Sequence, residues 1–203
     1  MSNTSKQTPI LWLSILSCII LGVVTRLIPH PFNFTAIGAV ALLGGAYIKD
    51  KRLAFVVPFA AMFLSDMFIG FHNTIVFVYG SFLITVALGF LMKENKKPGR
   101  VILLSILSSA IFFVLTNFGT WWLEGTNGAP LYPHTLAGLE ACFINAVPFI
   151  KGEPVYMALV PGTTSYFANF IYSGLLYSGL LFGAVAIVNS LVAGKNAAAN
   201  AVE

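Results

Sequence analysis

Eight side chains suited to binding a small molecule lie near the ends of three apolar segments of the chain. An ionisable side chain at membrane depth costs about 3 kcal/mol or more, so it faces a polar cavity or a charged partner. Arg26 and Asp66 each lie about one turn inside a segment end. Their positions predict either an ion pair between these two residues or a substrate-binding cavity, whose candidate residues are Arg26, His30, Asn33, Asp66, His72, Asn117, Trp121 and Trp122.

Two other interpretations of these residues stay open. The first is acid–base or metal chemistry at the outer leaflet, which would use His30, Asp66, His72 and Glu124. The sequence has no H-E-x-x-H, G-x-S-x-G or P-loop motif, so we predict no enzyme activity, cofactor or metal site. The second is a structural or assembly protein whose polar residues only pair with one another. Convergence of the candidates around a void favours substrate binding, and a packed end favours the structural alternative.

The composition is that of an integral membrane protein. Of the 203 residues, 58% are hydrophobic and only 9% are charged, whereas soluble domains carry about 25% charged residues. So few charges cannot solvate a surface in water, and most of this surface is predicted to face the lipid bilayer. The net charge of +4 is spread over short clusters between apolar runs, which gives no indication of nucleic-acid binding.

The apolar runs predict an all-α bundle of about six transmembrane helices in a single domain, residues 1–192, followed by a disordered tail, residues 193–203. A bilayer core takes about 20 apolar residues per helix. The weaker run 136–150 is either a thin crossing helix or a segment that does not cross, and we favour the second interpretation. The six predicted spans lie at about 10–28, 35–48, 53–70, 74–92, 101–123 and 166–192.

Basic residues predict the orientation of this bundle. The loops 49–52 and 93–100 hold seven of the eleven basic residues, and Lys6 and Lys195 join them if both termini lie on the same side. Nine basic residues then lie on one side of the membrane and two, Arg26 and Lys151, on the other. Because basic residues are enriched in cytoplasmic loops, both loops and both termini are predicted to lie in the cytoplasm. The candidate site residues then all lie on the outer side, where Trp121 and Trp122 also fit an interfacial aromatic belt.

Small residues recur along one face of the first span, at Ser14, Cys18 and Gly22. Such residues let two membrane helices approach closely. The spacing predicts either packing inside the bundle or a docking face for another membrane protein, and both interpretations stay open.

Several short motifs resemble those of an uncharacterised family of small bacterial membrane proteins. This family is similar in size and helix layout to the substrate-binding (S) components of energy-coupling factor (ECF) transporters. The motifs are at residues 26–39, 44–47, 63–66, 70–72, 79–82 and 116–119.

The resemblance implies a six-helix protein of the bacterial cytoplasmic membrane that captures a vitamin-like small molecule at its outer face. It also implies a separate transmembrane coupling protein and ATPase subunits as partners. S components usually dock through an Ala-x-x-x-Ala face on the first helix, and here Ser14, Cys18 and Gly22 stand in place of that motif.

Overall fold

The computed structural model describes residues 3–31, 33–126, 129–146 and 166–200. Over these residues the chain is all-α apart from one short antiparallel hairpin, in which β1 (Gly125–Thr126) pairs with β2 (Ala129–Pro130). The helices are α1 (Asn3–Leu27), α2 (Ile37–Tyr47), α3 (Lys51–Ile69), α4 (Ile75–Phe90), α5 (Pro98–Leu123), α6 (Leu136–Ala146) and α7 (Tyr166–Asn200).

Within the described residues, three segments are long and apolar enough to cross a membrane, as expected of a membrane protein: Lys51–Ile69, Pro98–Leu123 and Asn169–Gly194. Four shorter apolar helices accompany them, Trp12–Leu27, Ile37–Tyr47, Ile75–Phe90 and Leu136–Ala146. Large apolar side chains cover the outside of the bundle; on α7 they include Leu176, Leu180, Ile187 and Leu191, each about half exposed or more.

The structure bears on two predictions about the C-terminal half of the chain, the weak apolar run and the tail. The helix in the weak run is α6, whose eleven residues span about 16 Å at 1.5 Å per residue, roughly half of a bilayer core; residues 147–150 of that run lie outside the described residues. A disordered tail is predicted at 193–203; the structure continues α7 to Asn200, and residues 201–203 lie outside the described residues. Alanine, the strongest helix former, occupies four of the positions 193–200.

The short helix α2 lies at the centre of the bundle and packs against α1, α3, α4, α5 and α7. Every residue from Ile37 to Ala46 is buried, which an apolar helix without a polar face permits. It meets α4 backbone to backbone: a Cβ on Gly45 would collide with the Val86 carbonyl oxygen, and one on Gly89 with that of Leu42. The two glycines are therefore needed for this helix crossing.

The small-residue face of α1 divides between the interior and the surface. A Cβ on Gly22 would lie 2.8 Å from both the Ala61 Cβ and the Ile37 Cδ1, so Gly22 packs inside the bundle against α3 and α2. Cys18 is partly buried against the core, and Ser14 is exposed. The docking prediction is therefore limited to the surface around Ser14.

Candidate ligand cavity

A cavity of about 820 Å³ opens at the end of the bundle where α1, α3 and α5 end and α4 begins. The basic loops 49–52 and 93–97 lie at the opposite end, where α3 and α5 begin. The cavity is lined by Arg26, His30, Asn33, Thr35, Ile37, Met62, Ile69, His72, Thr74, Val78, Phe82, Phe112, Phe113, Thr116, Asn117, Thr120, Leu131, Tyr132, Cys142, Asn145, Ala146 and Phe170.

The floor of the cavity is a cluster of three buried phenylalanines. The rings of Phe112 and Phe170 are stacked, with centroids 4.0 Å apart and planes 7° from parallel. Phe82 is tilted against both, at 5.3 Å from Phe112 and 6.4 Å from Phe170. Ser109 donates a hydrogen bond of 3.3 Å to the Phe170 carbonyl, which fixes α7 to α5 at the level of this floor.

One face of α5 forms a wall that changes from apolar to polar along its length. Phe112, Phe113, Thr116, Asn117 and Thr120 all line the cavity, at spacings that place them on one side of a helix. The Thr116 hydroxyl donates to the Phe112 carbonyl at 2.8 Å, and the Asn117 amide donates to the Phe113 carbonyl at 2.7 Å. Each side-chain oxygen can still accept hydrogen bonds from a ligand.

The polar groups become more exposed with distance from the floor. Thr116 lies four residues beyond Phe112, about 6 Å further along the helix axis. The exposed lining residues, including His30, His72 and Asn145, lie at the mouth, whereas the three phenylalanines are buried. The cavity thus has an aromatic floor and a polar mouth.

Arg26 forms a buried ion pair at the side of the cavity. Its Nη2 lies 2.6 Å from the Asp66 Oδ1, and Asp66 is fully buried. The Arg26 Nη1 donates to the Ser65 hydroxyl and contacts the Met62 sulfur, both at 2.8 Å, and the Tyr79 hydroxyl donates to the Asp66 Oδ2 at 2.8 Å. The network joins α1, α3 and α4 and compensates the Arg26 charge.

The connection from α1 to α2 places two rim residues. Thr25 of α1 holds the far end of this connection: its hydroxyl donates to the Leu21 carbonyl at 2.9 Å and accepts from the Ala36 amide, just before α2, at 3.1 Å. Asn33 adopts a left-handed φ of 61°, a conformation that asparagine tolerates better than most residues. The His30 Nδ1 lies 2.7 Å from the Ile28 carbonyl, so His30 and Asn33 are both held beside the mouth.

The wall beside α5 comes from α6 and the segment before it. The Cys142 thiol donates to the Asn117 carbonyl at 3.4 Å, and Phe113 packs edge to face on Phe143 with centroids 5.6 Å apart. The Asn145 amide donates to the Tyr132 hydroxyl at 3.4 Å. The helix α6 therefore packs on α5 as a side wall of the cavity.

The tryptophan pair lies beside the cavity rather than in its lining. The Trp121 Nε1 donates to the Pro133 carbonyl at 2.9 Å, and Trp122 stacks on His134 with centroids 5.4 Å apart. These contacts hold the segment before α6 on the end of α5. Trp121 and Trp122 are thus positioned to support the cavity wall and are not among its lining residues, and their contact with a ligand stays a prediction.

Of the eight predicted site residues, the structure brings five into the cavity lining: Arg26, His30, Asn33, His72 and Asn117. Asp66 lies behind Arg26 as its ion-pair partner. The His72 Nδ1 lies 2.9 Å from the Thr74 hydroxyl, and the described residues contain no group of three His, Cys, Asp or Glu side chains placed to hold a metal ion. Lining residues that the sequence interpretation missed include Phe82, Phe112, Thr116, Tyr132, Asn145 and Phe170.

The aromatic floor could not be predicted from the sequence. Its three phenylalanines come from α4, α5 and α7, and in the sequence each resembles any other apolar residue of its helix. The polar stripe on α5 had a local signal: Thr116 and Thr120 recur four residues apart in an apolar helix.

Comparison with known proteins identifies the family of the chain. No curated protein and no solved structure shows significant similarity to it. One protein family matches over residues 6–196, nearly the whole chain, and is described as a family of unknown function, DUF6580. The chain therefore belongs to the DUF6580 family.

Proposed function

We propose that the chain is the substrate-capturing subunit of a bacterial uptake transporter, and that it binds a vitamin-like small molecule in the cavity. The observation that carries the proposal is the cavity itself, with its aromatic floor and polar mouth. Its volume of about 820 Å³ lies within the range of about 300–1,000 Å³ common for ligand pockets.

The proposed orientation places the mouth of the cavity outside the cell. The basic loops lie at the other end of the bundle, and basic loops stay in the cytoplasm. In this arrangement α1 to α5 and α7 are the six crossing helices of an S-component-like bundle. The helix α2 is as short as α6, but its segment runs through the centre of the bundle from the cavity lining at Thr35 to the basic loop at Lys49, whereas α6 packs at the outer face. An even number of crossings leaves both termini in the cytoplasm of the bacterial inner membrane.

The buried pair between Arg26 and Asp66 is also what a purely structural protein would contain. That alternative gives no reason for a void surrounded by polar groups from α1, α5, α6 and the connections before α2 and α4. Empty volume forfeits packing contacts, so a large cavity at the end of the bundle supports capture of a molecule over a structural role.

Filling the cavity tests capture. Thr116→Trp places an indole in the cavity lining, so we expect it to abolish retention of a small molecule by the purified chain. Leu107→Trp adds the same ring at an exposed position on the same helix and should retain the molecule as the wild type does. Retention is measured by native mass spectrometry, and equal retention by both variants would contradict the proposal.

The proposed energy source is a separate transmembrane coupling protein with ATPase subunits, because the sequence has no P-loop of its own. We propose the exposed surface of α1 around Ser14 as the contact. Ser14→Leu should lower copurification of such a coupling protein about tenfold, since overpacking a close contact costs about 1–3 kcal/mol. Ser190→Leu, an exposed serine on α7, is the control; if the two variants copurify the partner equally, docking does not occur at Ser14.

A further inference from the structure

From the charges and rings of the cavity we infer that its ligand is an uncharged molecule with a flat apolar ring at one end and hydrogen-bonding groups at the other. This inference rests on the proposed function and narrows it to a chemical class. It follows from three features: the aromatic floor, the charge balance around Arg26, and the polar mouth.

The aromatic floor favours a ligand with a flat apolar ring. Phe112 and Phe170 are already stacked on each other, and Phe82 leans against both, so the cluster offers ring edges and faces to whatever lies above it. Aromatic pairs prefer offset-stacked or edge-to-face contacts with centroids about 4.5–7 Å apart. A flat ring above the floor would extend this cluster, whereas a flexible polar chain would gain no aromatic contact there and would place polar groups against apolar rings.

The charge balance disfavours an ion. Arg26 is the one permanently charged side chain among the described cavity residues, and its Nη2 lies 2.6 Å from the buried carboxylate of Asp66. An anion would compete with that carboxylate for Arg26. A cation would find no carboxylate, because no Asp or Glu is part of the lining that the structure describes. Either ion would lose its hydration without gaining a full countercharge.

The mouth accommodates the polar end of the ligand. Side chains that donate and accept hydrogen bonds surround it from four directions: Asn33 from the loop after α1, His72 before α4, Asn117 on α5 and Asn145 on α6. A molecule with its ring on the floor places its other end among these groups. Amide and hydroxyl groups bind an uncharged polar end without the cost of burying a charge.

Three matched probes test the inference: 2-naphthalenemethanol, 2-naphthoate and 2-naphthylmethylammonium, which share one bicyclic ring and differ in charge. Their binding to the purified full chain is measured at neutral pH by equilibrium dialysis, with Thr116→Trp as the blank for partition into detergent. We expect the alcohol to bind about tenfold or more tightly than either ion, and Phe112→Leu to weaken its binding about threefold to tenfold.

Two charge variants make the prediction specific to the ion pair. Asp66→Asn leaves Arg26 uncompensated and should raise naphthoate affinity at least to that of the alcohol. Arg26→Gln leaves the Asp66 carboxylate, still bonded to Tyr79, without its cation and should raise the affinity of the ammonium probe instead. If neither variant folds, the comparison of the three probes on the wild type carries the test.

Tighter binding of either ion than of the alcohol by the wild type would overturn the inference of an uncharged ligand. If Thr116→Trp binds all three probes as tightly as the wild type does, the inference of a ring on the floor is overturned. Neither result removes the proposed capture function, which fails if the purified wild-type chain retains no small molecule or if the molecule it retains is unaffected by Thr116→Trp.

Discussion

Replacing Asp66 with alanine should destabilise the folded chain by about 3–5 kcal/mol, the usual cost of removing one partner from a buried ion pair. Total stabilities are about 5–15 kcal/mol, so little folded protein should remain. The reason is local: Asp66 is fully buried, and its loss leaves Arg26, which is only 14% exposed, without a countercharge. The Tyr79 hydroxyl also loses the oxygen to which it donates.

The double variant Arg26→Met, Asp66→Ala is the control, because it removes both charges together. It should recover most of the lost stability, since apolar replacement of a whole buried pair is often neutral or stabilising. Thermal unfolding in detergent measures both variants. If Asp66→Ala alone unfolds at the temperature of the wild type, the pair is not buried as described here.

Replacing Gly89 with valine should cost about 4 kcal/mol or more, which is exceptional for a single substitution. A side chain at this position would meet the Leu42 carbonyl oxygen and the Gly45 backbone. Backbone atoms cannot rotate away as a flexible side chain can, so α4 would have to separate from α2. Because α2 also contacts α1, α3, α5 and α7, that separation would disturb the whole bundle.

Gly80→Val is the matched control for Gly89→Val. It lies on the same helix and has the same change in helix propensity, and a Cβ at Gly80 meets nothing within 4 Å. Gly80→Val should elute as a monodisperse peak in size-exclusion chromatography, and Gly89→Val should aggregate or fail to express. Similar behaviour of the two variants would show that α2 and α4 are not in backbone contact.

Much of the helical framework could be predicted because apolar runs and basic loops are local signals. The fourth predicted span, 74–92, corresponds to α4 at Ile75–Phe90, and the fifth, 101–123, corresponds to α5 at Pro98–Leu123. The sequence could not show that α2 would be buried on all sides. Glycine and alanine make up about half of α2 and are typical of close helix packing, but only the three-dimensional arrangement identifies Gly89 as the partner of Gly45.

The candidate site could be predicted in part for a similar reason. Polar residues in apolar segments are conspicuous, and Arg26, Asn33 and Asn117 do line one cavity. Both interpretations of Arg26 apply at once, since it pairs with Asp66 and also lines the void. Residue type does not give the direction of a side chain: the Trp121 indole N–H donates to the Pro133 carbonyl, and Trp121 lies beside the cavity lining rather than in it.

The most direct measurement of the central claim is native mass spectrometry of the purified chain after incubation with a small-molecule extract of the growth medium. Wild type, Thr116→Trp and Leu107→Trp are compared side by side. Capture in the cavity predicts one bound mass on the wild type and on Leu107→Trp, and none on Thr116→Trp. A bound mass that persists on Thr116→Trp, or no bound mass on the wild type, would contradict the account.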